Sequence, residues 1–363
     1  MIYFTKNEQS RVIKMIYKNK HILEEAPDTG DRYRRAYAKG IDAYISRLNT
    51  EGKNNRRCFM PPESFKDKIE DYRTMYIKML GIDRVDNSDC PPPTKTFVAS
   101  DDMCDIYRLT VYITKEIPFY AMLFVPHGIT GKAPLVVMQH GGGGSPELCM
   151  DLIGDNNYTH TGLRILERGA VVLAPQIMVW SLQGVERGHR CDVVYDRGKT
   201  NNNLMRFGMS ITGLEISGIM RCIDYASNLD IVDSNRIGMA GLSYGGYFTM
   251  HTMAADKRIK VGLNCASFND RDTYPWLDWT YPNSGNTFQD AEIAALCAPR
   301  KLYISIGKAD EVFDWHTGEK EAERIKAYYN AMNCPDNLFV TVWDGGHRVK
   351  TESEPIDFLF DNI

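Results

Sequence analysis

The chain has 363 residues, 43% hydrophobic and 25% charged, the composition of a globular protein with room for one large α/β domain and an extension. A formal net charge of −4 argues against a nucleic-acid binder, whose affinity rests on a basic surface. Lysine and arginine recur through residues 6–20, which argues against a secretory signal, and no apolar run is long enough to span a bilayer. The nine cysteines are scattered with no Cys-x-x-Cys pair, so reduced thiols, no zinc site and a cytoplasmic location are expected.

In chain order, residues 1–95 are rich in charged residues and tyrosine and read as a helical N-terminal extension. Ile41, Tyr44, Ile45 and Leu48 recur at helical spacing, as do Phe65, Ile69, Tyr72, Tyr76 and Met79. Pro61-Pro62 precedes the second set, and Gly81 is its expected stop. The run Cys90-Pro91-Pro92-Pro93 cannot continue a helix and marks a boundary, so residues 96–363 form the second predicted domain. There, Ile106 to Thr114 and Phe119 to Val125 predict a hairpin. Strands at 135–138, 170–174, 237–240, 260–265, 301–306 and 338–343 then alternate with helices at 162–168, 214–229, 244–255, 319–332 and 353–361. Such alternation means an α/β fold: a mostly parallel central sheet with helices on both faces. Residues 176–212 and 268–290 read as long connections leaving the carboxyl ends of strands, where open α/β sheets bind ligands.

The sharpest motif is Gly241-Leu242-Ser243-Tyr244-Gly245-Gly246. It satisfies Gly-x-Ser-x-Gly with a strand before it and a helix after it, the context of a nucleophile elbow. Ser243 is the candidate nucleophile, and it needs a base that is itself oriented by an acid. His347, in Asp344-Gly345-Gly346-His347 just past the last strand, is the candidate base. His251 falls inside the helix after the elbow, and His316 begins a helix, so both are weaker candidates. Asp310 ends a short turn after the 301–306 strand and is the candidate acid, with Asp314 the alternative four residues on. Gln139-His140-Gly141-Gly142-Gly143-Gly144 follows a strand with backbone N–H groups unshielded by side chains. The N–H of Gly142 is expected to pair with that of Tyr244 as an oxyanion hole. The glycines do not form a phosphate-binding phrase, because Pro146 and Glu147 stand where the final glycine would be needed. No His-Glu-x-x-His motif occurs, so neither a metal nor a cofactor is expected.

On these residues the chain from about residue 97 onward resembles the α/β-hydrolase superfamily, and within it the dienelactone hydrolase and acetyl xylan esterase-like branch. Glu186-Arg187-Gly188, Gly208-Met209-Ser210-Ile211-Thr212-Gly213 and Ala298-Pro299-Arg300-Lys301 add to the likeness. The resemblance implies an α/β-hydrolase fold and a cofactor-independent carboxylic ester hydrolase acting on small acyl, acetyl-type esters, including those of carbohydrates. Ser243-Tyr244-Gly245-Gly246-Tyr247 is also similar to the elbow of prolyl oligopeptidase-type peptidases. Those enzymes carry a propeller with blades of about 40–45 residues, for which the helical 1–95 segment is too short. A propeller-less peptidase or amidase is therefore the alternative. A non-catalytic binding protein on the same fold is disfavoured by the complete set of serine, acid, histidine and glycine loop.

Trp180, Trp276 and Trp315 are candidates to stack on a sugar ring or enclose an acyl chain, and Arg187 to bind a carboxylate or hydroxyls. The expected partner is a small-molecule ester, an acylated saccharide among the options, with no nucleic acid and no membrane. The N-terminal extension offers a cap, a lid or a homo-oligomer contact, and the sequence leaves these open.

Overall fold

The structure, a computed structural model, describes residues 13–16, 22–25, 30–154, 156–177 and 196–363. Trp180 and Arg187 lie outside the described residues. The chain divides into two compact units, Met1–Asn55 and Arg56–Ile363. The first contains an antiparallel hairpin of β1 (Ile13–Ile16) and β2 (Ile22–Glu25), in addition to the helical character expected there. The helix α1 (Asp31–Phe59) begins in this unit and carries the predicted 41–48 segment.

The second unit starts ahead of the proline run rather than after it. Its helix α2 (Pro62–Leu80) opens on Pro62 and stops at Gly81, whose φ of 75° is a conformation glycine adopts freely. Phe65, Tyr72, Tyr76 and Leu80 are buried and join the core formed by α6 (Ile211–Ser227) and α7 (Tyr244–Ala255). The approach is close: a Cβ on Gly213 would sit 2.2 Å from the Leu80 carbonyl oxygen. An amphipathic helix must bury its apolar stripe, and α2 does so on the body of the α/β unit.

A sheet of nine strands runs in the order β11-β10-β9-β8-β6-β7-β5-β4-β3. The antiparallel end comprises β3 (Thr94–Ser100), β4 (Cys104–Thr114) and β5 (Ile117–Pro126), with β5 antiparallel to β7 (Val171–Pro175). β6 (Ala133–Gln139), β7, β8 (Val232–Leu242), β9 (Ile259–Cys265), β10 (Lys301–Gly307) and β11 (Leu338–Trp343) are mutually parallel. All seven residues of β3 are exposed, so this edge strand lacks the alternation that would reveal it in the sequence. By contrast, every residue of β6 is buried. Leu135 and Val137 face the core under α6 and α7, while Val136 and Met138 face the one under α4 (Thr161–Glu167) and α10 (Glu354–Asp361). That is the pattern of a strand covered on both faces.

Further short helices are α3 (Pro146–Cys149), α5 (Arg197–Met205) and α8 (Asp290–Ala295), while α9 (Trp315–Ala331) crosses between β10 and β11. The long connection 176–212 contains α5, a helix not expected from the sequence. Its sequence, rich in asparagine, has little helical propensity. It is capped by Asp196 and held by Asn201, whose Nδ2 donates to the carbonyls of Leu277 (2.8 Å) and Thr280 (2.7 Å). Among the described residues no helix is long and apolar enough to cross a membrane.

Candidate active site

Four loops leave the carboxyl ends of parallel strands β6, β8, β10 and β11, and the sheet register brings them together. Gln139 pairs with Gly241, so the glycine loop begins beside the elbow, and Gly307 pairs with Trp343, so the loops of Asp310 and His347 start side by side. The strand order reverses at β6 and β8, the crevice where open α/β sheets bind ligands.

Ser243 sits between β8 and α7 at φ 59°, ψ −123°, a strained conformation for a residue with a side chain. Its N–H donates to the Cys265 carbonyl at 2.8 Å, and its own carbonyl accepts from Tyr247 N–H at 2.9 Å. The flanking glycines are sterically required. A Cβ on Gly241 would lie 2.2 Å from the Gly245 carbonyl carbon, and one on Gly245 would lie 2.0 Å from the Gln139 oxygen. Because α7 opens at Tyr244, the positive end of its dipole lies at the serine.

The structure brings His347 to Asp310. Nδ1 of His347 lies 2.9 Å from Oδ2 and 3.1 Å from Oδ1, and both side chains are largely buried. Asp310 Oδ1 also accepts the backbone N–H groups of Val312 (2.8 Å) and Phe313 (3.1 Å). The Ala309 N–H donates to the Gly345 carbonyl at 2.9 Å, tying the two loops directly. Asp314 is instead the exposed N-cap of α9, bonded to the backbone and ring of His316. His251 is buried, with Tyr76 Oη 2.6 Å from Nδ1 and the Tyr247 ring 3.8 Å away. Burial, with Arg271 nearby, holds it well below the usual histidine range and therefore neutral.

The glycine loop is fixed from two sides. His140 Nδ1 donates to the Gly141 carbonyl (2.8 Å), while Nε2 accepts the N–H of Ile177 (3.1 Å). The Gly141 N–H is committed to Tyr158 Oη at 2.6 Å, and the Gly144 N–H to the Gly141 carbonyl at 3.1 Å. Next along from Gly141 is Gly142, half-buried.

Behind the elbow lies a charged cluster that sequence reasoning missed. Tyr244 Oη donates to Asp278 (3.0 Å), Asp278 accepts from Arg197 Nε (2.8 Å), and Arg197 makes a two-pronged pair with Glu215 (2.8 and 2.7 Å). Desolvation works against the buried guanidinium, but Glu215 and Asp278 outweigh it and keep Arg197 charged. Burial first, and Asp278 second, push the Tyr244 hydroxyl up, so it stays a neutral donor. No motif marks Arg197, Glu215 or Asp278, which come from three separate segments.

Of the aromatic candidates, Trp276 reaches the site. Its ring stacks on Tyr244 (centroids 5.7 Å) and meets Phe313 (5.5 Å), whose own ring is 5.9 Å from His347. Trp315 begins α9, stacked on His316 at 3.7 Å with Lys308 above its ring. Burial pushes the Cys265 thiol up to about 12 and that of Cys297 to about 11, so these cysteines are inert. Among the described residues no cluster of three or more His, Cys, Asp or Glu could hold a metal ion.

Comparison with known proteins agrees with this architecture. A family model described as the prolyl oligopeptidase family matches residues 211–296, the stretch from α6 through the elbow to α8. YtaP of Bacillus subtilis, a provisionally named hydrolase, is 26% identical over 235 residues, covering 61% of this chain and 75% of that protein. A crystal structure of a provisionally assigned acetyl xylan esterase from Bacteroides fragilis superposes with a TM-score of 0.67 at 14% identity, covering 92% of this chain and 85% of that one. The methylesterase BT1017 superposes with a TM-score of 0.61 at 18% identity, covering 88% of this chain and 67% of that one. The fold is that of the α/β-hydrolases.

Proposed function

We propose that the protein is a serine carboxylic ester hydrolase working through an acyl-enzyme. The observation that carries this reading is the Asp310–His347 contact, formed past the ends of two adjacent parallel strands in the same sheet as the strained Ser243 elbow. With Nδ1 of His347 engaged by the carboxylate, Nε2 is the nitrogen that takes the Ser243 proton as the hydroxyl attacks the ester carbonyl. The backbone N–H groups of Gly142 and Tyr244 hold the oxyanion, a donor of this kind being worth roughly 3 kcal/mol in the transition state. His347 then protonates the departing alcohol, and water, activated by the same base, releases the acid.

The fold relatives named above support a small acyl, acetyl-type ester as the substrate class, with esters of carbohydrates among the options. Trp276, beside the elbow and half-buried, offers the face of a ring to a sugar or acyl group. The prolyl oligopeptidase family match favours a second reading, a peptidase or amidase. Hydrolysis of p-nitrophenyl acetate by wild type and Ser243→Ala tests the proposal, with the variant expected to lose about a thousand-fold or more. Equal rates in the two proteins would refute it, and turnover of aminoacyl anilides in preference to acetyl esters would favour the peptidase.

A further inference from the structure

Residues 156–160 carry no catalytic motif, yet they touch both halves of the proposed site. Tyr158 is buried, and its hydroxyl accepts the Gly141 N–H at 2.6 Å. That hydroxyl also fills the space beside the glycine loop, where a Cβ on Gly144 would meet it at 2.8 Å. One residue earlier, Asn157 Nδ2 donates to the backbone carbonyl of His347 at 2.9 Å, and the Asn157 carbonyl accepts the Val349 N–H at 3.1 Å. One residue later, Thr159 Oγ1 donates to the Val349 carbonyl at 3.2 Å. Three consecutive residues therefore join the loop after β6 to the loop after β11, which lie four strands apart in the sheet order.

The backbone here is strained. Thr159 and His160 have φ values of 52° and 57°, consecutive left-handed residues of which the first is β-branched. Such a conformation persists where the surroundings over-determine it, and it clusters at functional sites. An open groove of about 400 Å³ runs past the same segment, lined by Asn156, Asn157, Thr159, Glu311, His347 and Arg348. Its amides are already bonded within the fold, Asn156 Nδ2 to the Leu148 carbonyl (2.9 Å) and Asn157 Nδ2 to His347. The segment is thus built for holding the loops rather than for taking a ligand.

We infer that Asn157 and Tyr158 are positioning residues, a brace that fixes the oxyanion loop and the histidine loop in one geometry. The inference rests on the reading of Ser243, His347 and the glycine loop proposed above. With the Gly141 N–H fastened to Tyr158, the next amide, that of Gly142, is held in a single direction. With the carbonyl of His347 fastened to Asn157, the imidazole approaches the serine from a fixed backbone. Misplacement of either by an ångström lowers the rate without weakening ground-state binding.

The test is steady-state hydrolysis of p-nitrophenyl acetate, together with labelling of Ser243 by a fluorophosphonate. Wild type, Tyr158→Phe, Asn157→Ala and the double variant are compared. Tyr158→Phe keeps the ring and removes only the acceptor, and thermal unfolding checks that each variant is folded. Asn157→Ser replaces Asn157→Ala if the latter does not accumulate. Each single variant is expected to lose about ten- to a hundred-fold in kcat and in labelling rate, with KM within about threefold. The double variant is expected to lose less than the product of the two, as residues acting through one unit do. Wild-type kcat in either single variant, a loss confined to KM, or losses that multiply would overturn the brace while leaving Ser243 as nucleophile. A wild type that neither turns over the ester nor labels at Ser243 would overturn the underlying reading and the brace with it.

Discussion

Asp310→Asn separates the role of the acid from its shape. In the wild type Oδ1 accepts two backbone N–H groups, from Val312 at 2.8 Å and Phe313 at 3.1 Å, while Oδ2 sits 2.9 Å from His347 Nδ1. An asparagine must keep its carbonyl oxygen where the two N–H groups point, since an amide NH2 there would face two donors. Its NH2 group is therefore forced into the Oδ2 position, facing His347. A donor at that place stabilises the tautomer with Nδ1 bare and Nε2 protonated, and that tautomer cannot take a proton from Ser243. The expected loss is about 10⁴-fold in kcat, or ~5 kcal/mol of transition-state stabilisation, with KM little changed and the fold intact. Ester hydrolysis at neutral pH measures it, beside Asp314→Asn as a control. Asp314 is an exposed N-cap, and asparagine caps a helix as well as aspartate does, so the control is expected to match wild type in rate and stability. An Asp310→Asn enzyme within tenfold of wild type, or an Asp314→Asn enzyme that is inactive, would refute the assignment.

Two further outcomes concern stability. Arg197→Met leaves Glu215 and Asp278 buried without their guanidinium, which is expected to cost about 3–5 kcal/mol in chemical denaturation; a cost below 1 kcal/mol would mean the cluster is solvated. Glu321 shares Arg324 with the fully buried Glu292, and burial raises its carboxyl to about 7 from the ordinary 4.5. A carboxyl raised on folding contributes stability that is complete below 4.5 and is lost as pH rises through about 7. Glu321→Gln lacks this titration. Wild type should therefore lose up to about 3 kcal/mol relative to the variant between pH 5 and 8, and parallel stability curves would contradict the assignment.

The parts of the fold that were legible are those where local chemistry leaves one solution. Gly241 and Gly245 admit no side chain, so the elbow announces itself in six residues. Continuous apolar runs such as Leu135 to Met138, too short for a buried helix, read as strands buried on both faces. Gly81 stopped α2 where expected. Elements stabilised from a distance were not legible. α5 is held by Asn201 reaching to Leu277 and Thr280, and β3 takes its shape from β4 while exposing every side chain. Asp310 lies against His347 on a loop from another strand and Asp314 does not, a relation that spacing along the chain cannot carry. Tyr158 was invisible for the same reason, since its partner lies in a loop that only the sheet brings near.

The segment 268–290 carries aromatic residues that pack mainly as core. Trp279 and Tyr281 are 5% and 4% exposed, and their rings pack on or beside Tyr247 as core. Tyr274 and Trp276 form the half-buried edge of this cluster, and Trp276 stacks on Tyr244 beside the elbow. Its neighbour Asp278 binds the hydroxyl of Tyr244, whose backbone N–H is assigned to the oxyanion, and the same carboxylate holds Arg197 at the start of α5. The wall proposed to meet substrate and the turn that carries the proposed nucleophile are thus one packed and ion-paired body. Displacing that wall moves Tyr244, and with it the proposed oxyanion donor. Changes that remodel this wall therefore act on kcat as well as on KM, which sets the aromatic segment apart from a loop that only grips the substrate.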